Sequence, residues 1–166
     1  MEQNTIQTEN GKRSRDYAAA LDFLSKHKEV AFATCEDNRP KIRVFQIMRQ
    51  EATRLYFATS AQKAVYQQLK RNPHIEILAQ KEQLSVRCTG KADFNVNNEC
   101  KQWIYNNNPV LPRLYSSYDK LAYFSLDIED MDYYDLRPTP PILRHFNLLE
   151  GTETGGFVGE RFAQKG

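Results

Sequence analysis

Thr59, Ser60 and Lys63 stand in the run Leu55-Tyr56-Phe57-Ala58-Thr59-Ser60-Ala61-Gln62-Lys63, where a strand-like pattern gives way to a helix-like one. The spacing puts two hydroxyls and a lysine at the predicted start of a helix. Helix N-termini carry unpaired N–H groups and a partial positive charge, which suits a phosphate. In that reading Thr59 and Ser60 donate hydroxyl hydrogen bonds and Lys63 supplies the counter-charge. The alternative leaves Ser60 as a simple cap and Lys63 as a solvated charge, since serine caps are common.

Arg43 is the second candidate, within the strand-like Pro40-Lys41-Ile42-Arg43-Val44-Phe45-Gln46-Ile47. Its apolar neighbours imply a guanidinium aimed at something specific, and arginine's planar fork matches phosphate or carboxylate oxygens. A solvent-facing barrel arginine fits the same pattern. Arg87 poses the same question on the polar face of a later strand. His74, His145 and Asp119 have no partner at informative spacing and read as surface or structural residues. Cys35, Cys88 and Cys100 form neither a CxxC nor a Cys/His cluster, so metal and disulfides are not expected and a reducing compartment, the cytoplasm, is.

Several elements must position these residues. Tyr17, Ala20, Leu21 and Leu24 repeat at helical spacing, with Ser14 as N-cap of a helix over 14–27. Strands are predicted over 30–35, 41–48 and 54–59, the first two joined as a hairpin through Glu36–Pro40. A helix over 61–71, capped by Ser60, ends at Asn72-Pro73 before a strand at 74–80. From Leu84 to Val96 apolar and polar residues alternate strictly, as in an antiparallel strand with one buried face. A short helix over 97–105, capped by Asn97, turns Cys100, Trp103 and Ile104 inward. Two more strands cover 120–128 and 132–136. Residues 1–13 read as a flexible arm, 14–136 as the domain and 137–166 as an extended tail. The pattern is mainly β with α: an antiparallel β-barrel with capping helices.

Composition narrows the classes further. The 166 residues are 40% hydrophobic and 27% charged with net charge +2. That argues for one domain and against a dedicated nucleic-acid binder. No apolar run approaches a membrane span, and the polar start does not look like a secretory signal.

Taken in order, "AFATCEDNRPKIRVFQI", "LYFATSAQKAVYQQLKRNPHIEI" and "SVRCTGKADF" resemble the FMN-binding split-barrel family related to pyridoxamine 5'-phosphate oxidase, from about Asp16 to about Asp135. The resemblance implies a homodimer of split barrels with FMN in a groove between subunits. It implies that Arg43, Val44, Phe45 and Gln46 run beside the ring and ribityl chain. Ala58, Thr59, Ser60 and Lys63 would lie at the phosphate, and Gln80 and Arg87 would approach the flavin from later strands. Trp103 and Tyr105 would either flank the groove or pack in the core.

The chain also departs from the oxidase proper. Trp103-Ile104-Tyr105-Asn106-Asn107 offers no counterpart of its substrate-phosphate residues, and Arg137-Pro138-Thr139-Pro140-Pro141 replaces its Arg-Leu-x-Pro ending. The expected activity is therefore an FMN-dependent oxidoreductase on another small molecule, with reduced nicotinamide dinucleotide, NAD(P)H, or oxygen as co-reactant. The alternatives are a non-catalytic flavin-binding or haem-handling module, with His74, His145 or a tyrosine as axial ligand and His145 foremost, and a cofactor-free interaction protein.

Overall fold

The computed structural model describes residues 14–156 and the backbone of Asn4–Thr5. The remainder of the expected N-terminal arm, and 157–166 of the expected tail, lie outside the described residues.

Helix α1 (Arg15–Lys26) starts where the sequence places it: Ser14 Oγ accepts from the Tyr17 N–H, and Asp16 sits in the first turn. It buries Ala20, Phe23 and Leu24. The hairpin of β2 (Glu29–Glu36) and β3 (Arg39–Gln46) turns on Asp37 and Asn38, at φ +50° and +60°. That double left-handed turn suits Asp and Asn and matches strand twist. Pro40 lies within β3 rather than before it, which an edge strand tolerates. β1 (Asn4–Thr5), in the expected arm, pairs with the C-terminal strand β11.

The chain continues through β4 (Arg49–Glu51), β5 (Arg54–Thr59), α2 (Ala64–Arg71), β6 (His74–Lys81), β7 (Leu84–Asp93), α3 (Asn98–Asn107) and α4 (Val110–Leu114). A 3₁₀ turn at Tyr118–Lys120 leads to β8 (Ala122–Asp127) and β9 (Asp130–Asp135). Residues 137–156 are not an irregular tail. They hold a hairpin of β10 (Ile142–Asn147) and β11 (Thr152–Gly155), and β10 pairs with β9. Tyr17 packs edge-on against Phe146, and Arg144 pairs with Asp16, so this hairpin also holds α1.

Every strand pairing is antiparallel, in the order β1-β11-β10-β9-β7-β6-β2-β3, with β4-β5-β8 attached through β7. The sheet curls into a split barrel. The bend sits at Gly90, where a Cβ would lie 2.6 Å from the Asp127 carbonyl oxygen. Only glycine admits that approach, and it lets β7 leave β9 and pair Ala92 with Leu126 of β8. The strand expected to reach Val96 ends at Asp93, whose Oδ1 accepts from the Asn95 N–H at 2.8 Å and turns the chain.

Inside the curl, Phe32, Phe57 and Phe124 are fully buried, with ring centroids 5.2–6.0 Å apart. Each such ring is worth about 1.5–3 kcal/mol of burial. A second cluster of Tyr56, Cys100, Ile104, Leu111 and Tyr123 fills the space between β5, β8 and α3–α4. β5 is thus buried on both faces, which explains its nearly continuous apolar run. The expected inward Trp103 is instead 43% exposed, with the Arg49 guanidinium 4.6 Å from its ring centroid.

Candidate functional site

The entrance to α2 differs from the expected capped junction. The helix begins at Ala64, and Lys63 is its N-cap without a side-chain capping bond. Ser60 Oγ accepts from the Gln62 N–H at 3.2 Å, and the Lys63 N–H donates to the Ser60 carbonyl at 3.0 Å. Ser60 therefore shapes a turn ahead of the helix rather than capping it. The result is a helix N-terminus with no cap and no acidic residue in its first turn. Lys63 is exposed and has no ion pair among the described residues.

Thr59 leads into this entrance from β5. Its side chain is 2% exposed, and Oγ1 has no hydrogen-bond partner among the described residues. A buried orphan hydroxyl costs about 1–3 kcal/mol, so native structures seldom leave one without a reason. It is the last residue of β5, opposite Ala122, and next in the chain to Ser60. Ala58, half-buried, faces the second apolar cluster.

Arg43 points into the fold. Its Nη1 donates to the Phe32 carbonyl (3.2 Å) and Thr34 Oγ1 (2.8 Å), and Nη2 donates to Gln68 Oε1 (2.7 Å) on α2. Burial lowers its pKa from the usual arginine value. Phe45 is also inward, 4.7 Å from the Phe32 ring centroid. The structure brings Arg43 and the Thr59–Lys63 entrance to one helix, although Arg43 meets its middle rather than its start. Sequence reasoning missed Gln68; its place on the same face as Val65 and Leu69 was the available signal.

The other expected residues lie on the outer face. Val44 is 69% and Ile42 72% exposed, and both flank the small Ala31 and Ala33 on β2. Leu78 opposes Ala31 from the other side, so an apolar strip runs from the free edge of β3 to β6. Gln46 is half-buried at the end of β3. The Gln80 side chain donates to the Glu82 carbonyl within its own hairpin. Arg87 pairs with Asp132 at 2.8 Å, and Asp132 also meets His145 Nδ1 at 2.7 Å. Within the described chain, then, Val44, Gln46, Gln80 and Arg87 do not join the α2 entrance.

A match to the pyridoxamine 5'-phosphate oxidase family model covers residues 18–133. The protein belongs to that family. Among solved structures, this family member resembles a pyridoxamine 5'-phosphate oxidase-related, FMN-binding protein from Nostoc punctiforme. The TM-score is 0.70 and the identity 17%, covering 90% of this chain and 100% of that one. A NimC/NimA family protein from Clostridium acetobutylicum matches at TM-score 0.61 and 23% identity, over 80% of this chain and 94% of that one. A heme-binding protein from Mycobacterium smegmatis matches at 0.64 and 12%, over 82% and 59%. No curated protein matches the chain. These likenesses establish the split-barrel fold. No helix among the described residues is long and apolar enough to cross a membrane.

Proposed function

We propose that this family member is an FMN-dependent oxidoreductase, working on a small molecule as a homodimer in the cytoplasm, with reduced nicotinamide dinucleotide or oxygen as co-reactant. One observation carries the reading: the buried, unpartnered Thr59 hydroxyl beside an uncapped helix entrance that bears Lys63. A phosphate monoester supplies what that entrance lacks, acceptor oxygens and negative charge. The family and the FMN-binding neighbour support the same choice.

In this reading Thr59 donates its hydroxyl proton to a phosphate oxygen, Lys63 neutralises charge from the solvent side, and the first N–H groups of α2 complete the cradle. Arg43 adds positive charge from behind the helix. Bound FMN supplies hydride and single-electron transfer; the protein binds, orients and shields it. Val44 and Gln46 offer an apolar wall and a polar edge at the outer face, and Gln80 and Arg87 extend it.

A homodimer accounts for the exposed Ile42–Val44–Leu78 strip and the free β3 edge, both of which a second copy would cover. It also accounts for the split between outer-face residues and the α2 entrance, since a groove between copies can join them. A cleft of about 170 Å³ beside Glu36 and Gln68 is smaller than the roughly 300–1,000 Å³ of typical cofactor sites.

The heme-binding neighbour raises a haem reading, with His145 as ligand. Both ring nitrogens of His145 already face carboxylates: Nδ1 on Asp132 and Nε2 at 3.3 Å from Asp130. That occupancy favours flavin. Titration of the purified protein with FMN, followed by visible absorption and gel filtration, tests the choice. A two-banded flavin spectrum on a dimer-sized particle is expected. A Soret band from added hemin with no flavin uptake would overturn the proposal.

A further inference from the structure

Gln68 is 5% exposed on an otherwise apolar helix face, and both ends of its amide are hydrogen-bonded. Oε1 accepts from Thr34 Oγ1 (2.6 Å) and Arg43 Nη2 (2.7 Å), while Nε2 donates to Glu36 Oε2 (3.2 Å). Only this orientation works, because the reverse would set the NH₂ against a guanidinium and the carbonyl against a carboxylate. The amide thus stands between a cation and the acid reaching toward it. Arg43 forms no ion pair within 4.0 Å among the described residues.

We infer that Gln68 is a positioning residue that keeps Arg43 from being neutralised by Glu36, so that its charge acts on an anion at the α2 entrance. This rests on the flavin reading of that entrance. Gln68 lies five residues past the Lys63 N-cap, about 7.5 Å along the helix axis. That is about one Debye length at physiological salt, and a partly buried path screens less than water does. A direct Arg43–Glu36 ion pair would cancel more of this field than a carboxylate held one amide away. The neutral amide satisfies both groups and lets neither pair with the other. Burial without a carboxylate also explains the lowered Arg43 pKa.

FMN and riboflavin differ by the phosphate, so their affinities separate a charge effect from a general loss of the fold. Each is titrated into the full chain by quenching of flavin fluorescence. Gln68→Met should weaken FMN about tenfold and leave riboflavin within twofold. Adding Glu36→Gln to that variant should recover most of the FMN loss, because no carboxylate then remains to quench Arg43. Gln68→Glu, which keeps the volume and places a carboxylate directly on Arg43, should weaken FMN at least as much and still spare riboflavin. Equal losses for the two flavins, unchanged FMN affinity, or no recovery with Glu36→Gln would overturn the inference. Wild-type protein that binds neither flavin would overturn the functional reading itself.

Discussion

Helices α1 and α3 begin as isolated helices should, and α2 does not. Ser14 caps α1 and Asp16 balances its dipole; at α3 Asn97 accepts from the Cys100 N–H and Glu99 is the acid of the first turn. At α2 the N-cap is a lysine, the first turn holds no acid, and the preceding Thr59 hydroxyl has no hydrogen-bond partner among the described residues. A cap is worth about 0.5–2 kcal/mol and a first-turn acid about 0.3–1 kcal/mol, so α2 forgoes stability that α1 and α3 collect. Under the proposed function that deficit leaves room for an anion at α2; the five-residue α4 also starts without a capping bond or an acid, but there no orphaned hydroxyl precedes it. The same chain knows how to cap a helix.

The sharpest way to break this contrast is to make α2 like the others. Lys63→Asp supplies a capping carboxylate and a favourable dipole contact. Chemical denaturation should show a gain of about 0.5–1 kcal/mol. FMN affinity should fall by more than about 3 kcal/mol, because a charge-assisted bond is lost and a repulsion added. Lys63→Ala should cost about 1.5–3 kcal/mol of FMN binding with stability nearly unchanged. A Lys63→Asp protein that binds FMN normally would remove the phosphate from α2.

The reverse experiment acts on α1. Ser14→Ala should cost about 0.5–2 kcal/mol of folding stability and leave FMN affinity within twofold, read by the same titrations. Between these falls Thr59→Val, nearly isosteric and without the orphan hydroxyl. It should raise stability by up to about 1 kcal/mol and weaken FMN by about 1 kcal/mol. A loss of stability instead would mean that the hydroxyl already has a structural partner.

The contrast also marks what the sequence could reveal. The Ser14 cap, the apolar stripe of α1 and the alternation along β7 are local, repeated signals, and the structure follows them closely. Ser60 looked like the same kind of signal, yet a turn through Ala61 and Gln62 delays the helix to Ala64, and periodicity does not report such a delay. The hairpin at 142–155 was masked by Pro138, Pro140 and Pro141, which read as irregular chain; only its pairing with β9 makes it a strand. Trp103 shares the helical face expected to be inward, but Arg49 of β4 holds it at the surface. Arg43 meets defined partners within the chain. That one of them is Gln68 depends on where α2 lies over β2, a tertiary fact. Thr59, Ser60 and Lys63 stand close enough in the chain to form a local signal, whereas nothing local ties Val44 to Arg87, which only the family resemblance groups.

The smallest effect probes a polar group that is satisfied, as Thr59 is not. Asp135, buried at the end of β9, accepts from Arg137 Nε and Nη2 at 2.8 Å each and from the Arg137 N–H at 3.0 Å. The Arg137 side-chain hydrogen bonds hold its carboxyl below the usual aspartate range. A carboxyl whose folded pKa is depressed stabilises the fold above the unfolded value, about 3.9, and that contribution is lost as pH falls through the folded value. Arg137→Gln should therefore lower stability at neutral pH, with the difference from wild type closing as the solution is acidified below pH 4. Its acid-unfolding midpoint should move to higher pH. Because Arg137 is largely exposed, solvent screens the pair and the change should be small. FMN affinity should not move at all, which is what separates a bonded buried group from an orphaned one. A variant that unfolds with the same pH profile as wild type would show that Asp135 is held by the backbone N–H alone.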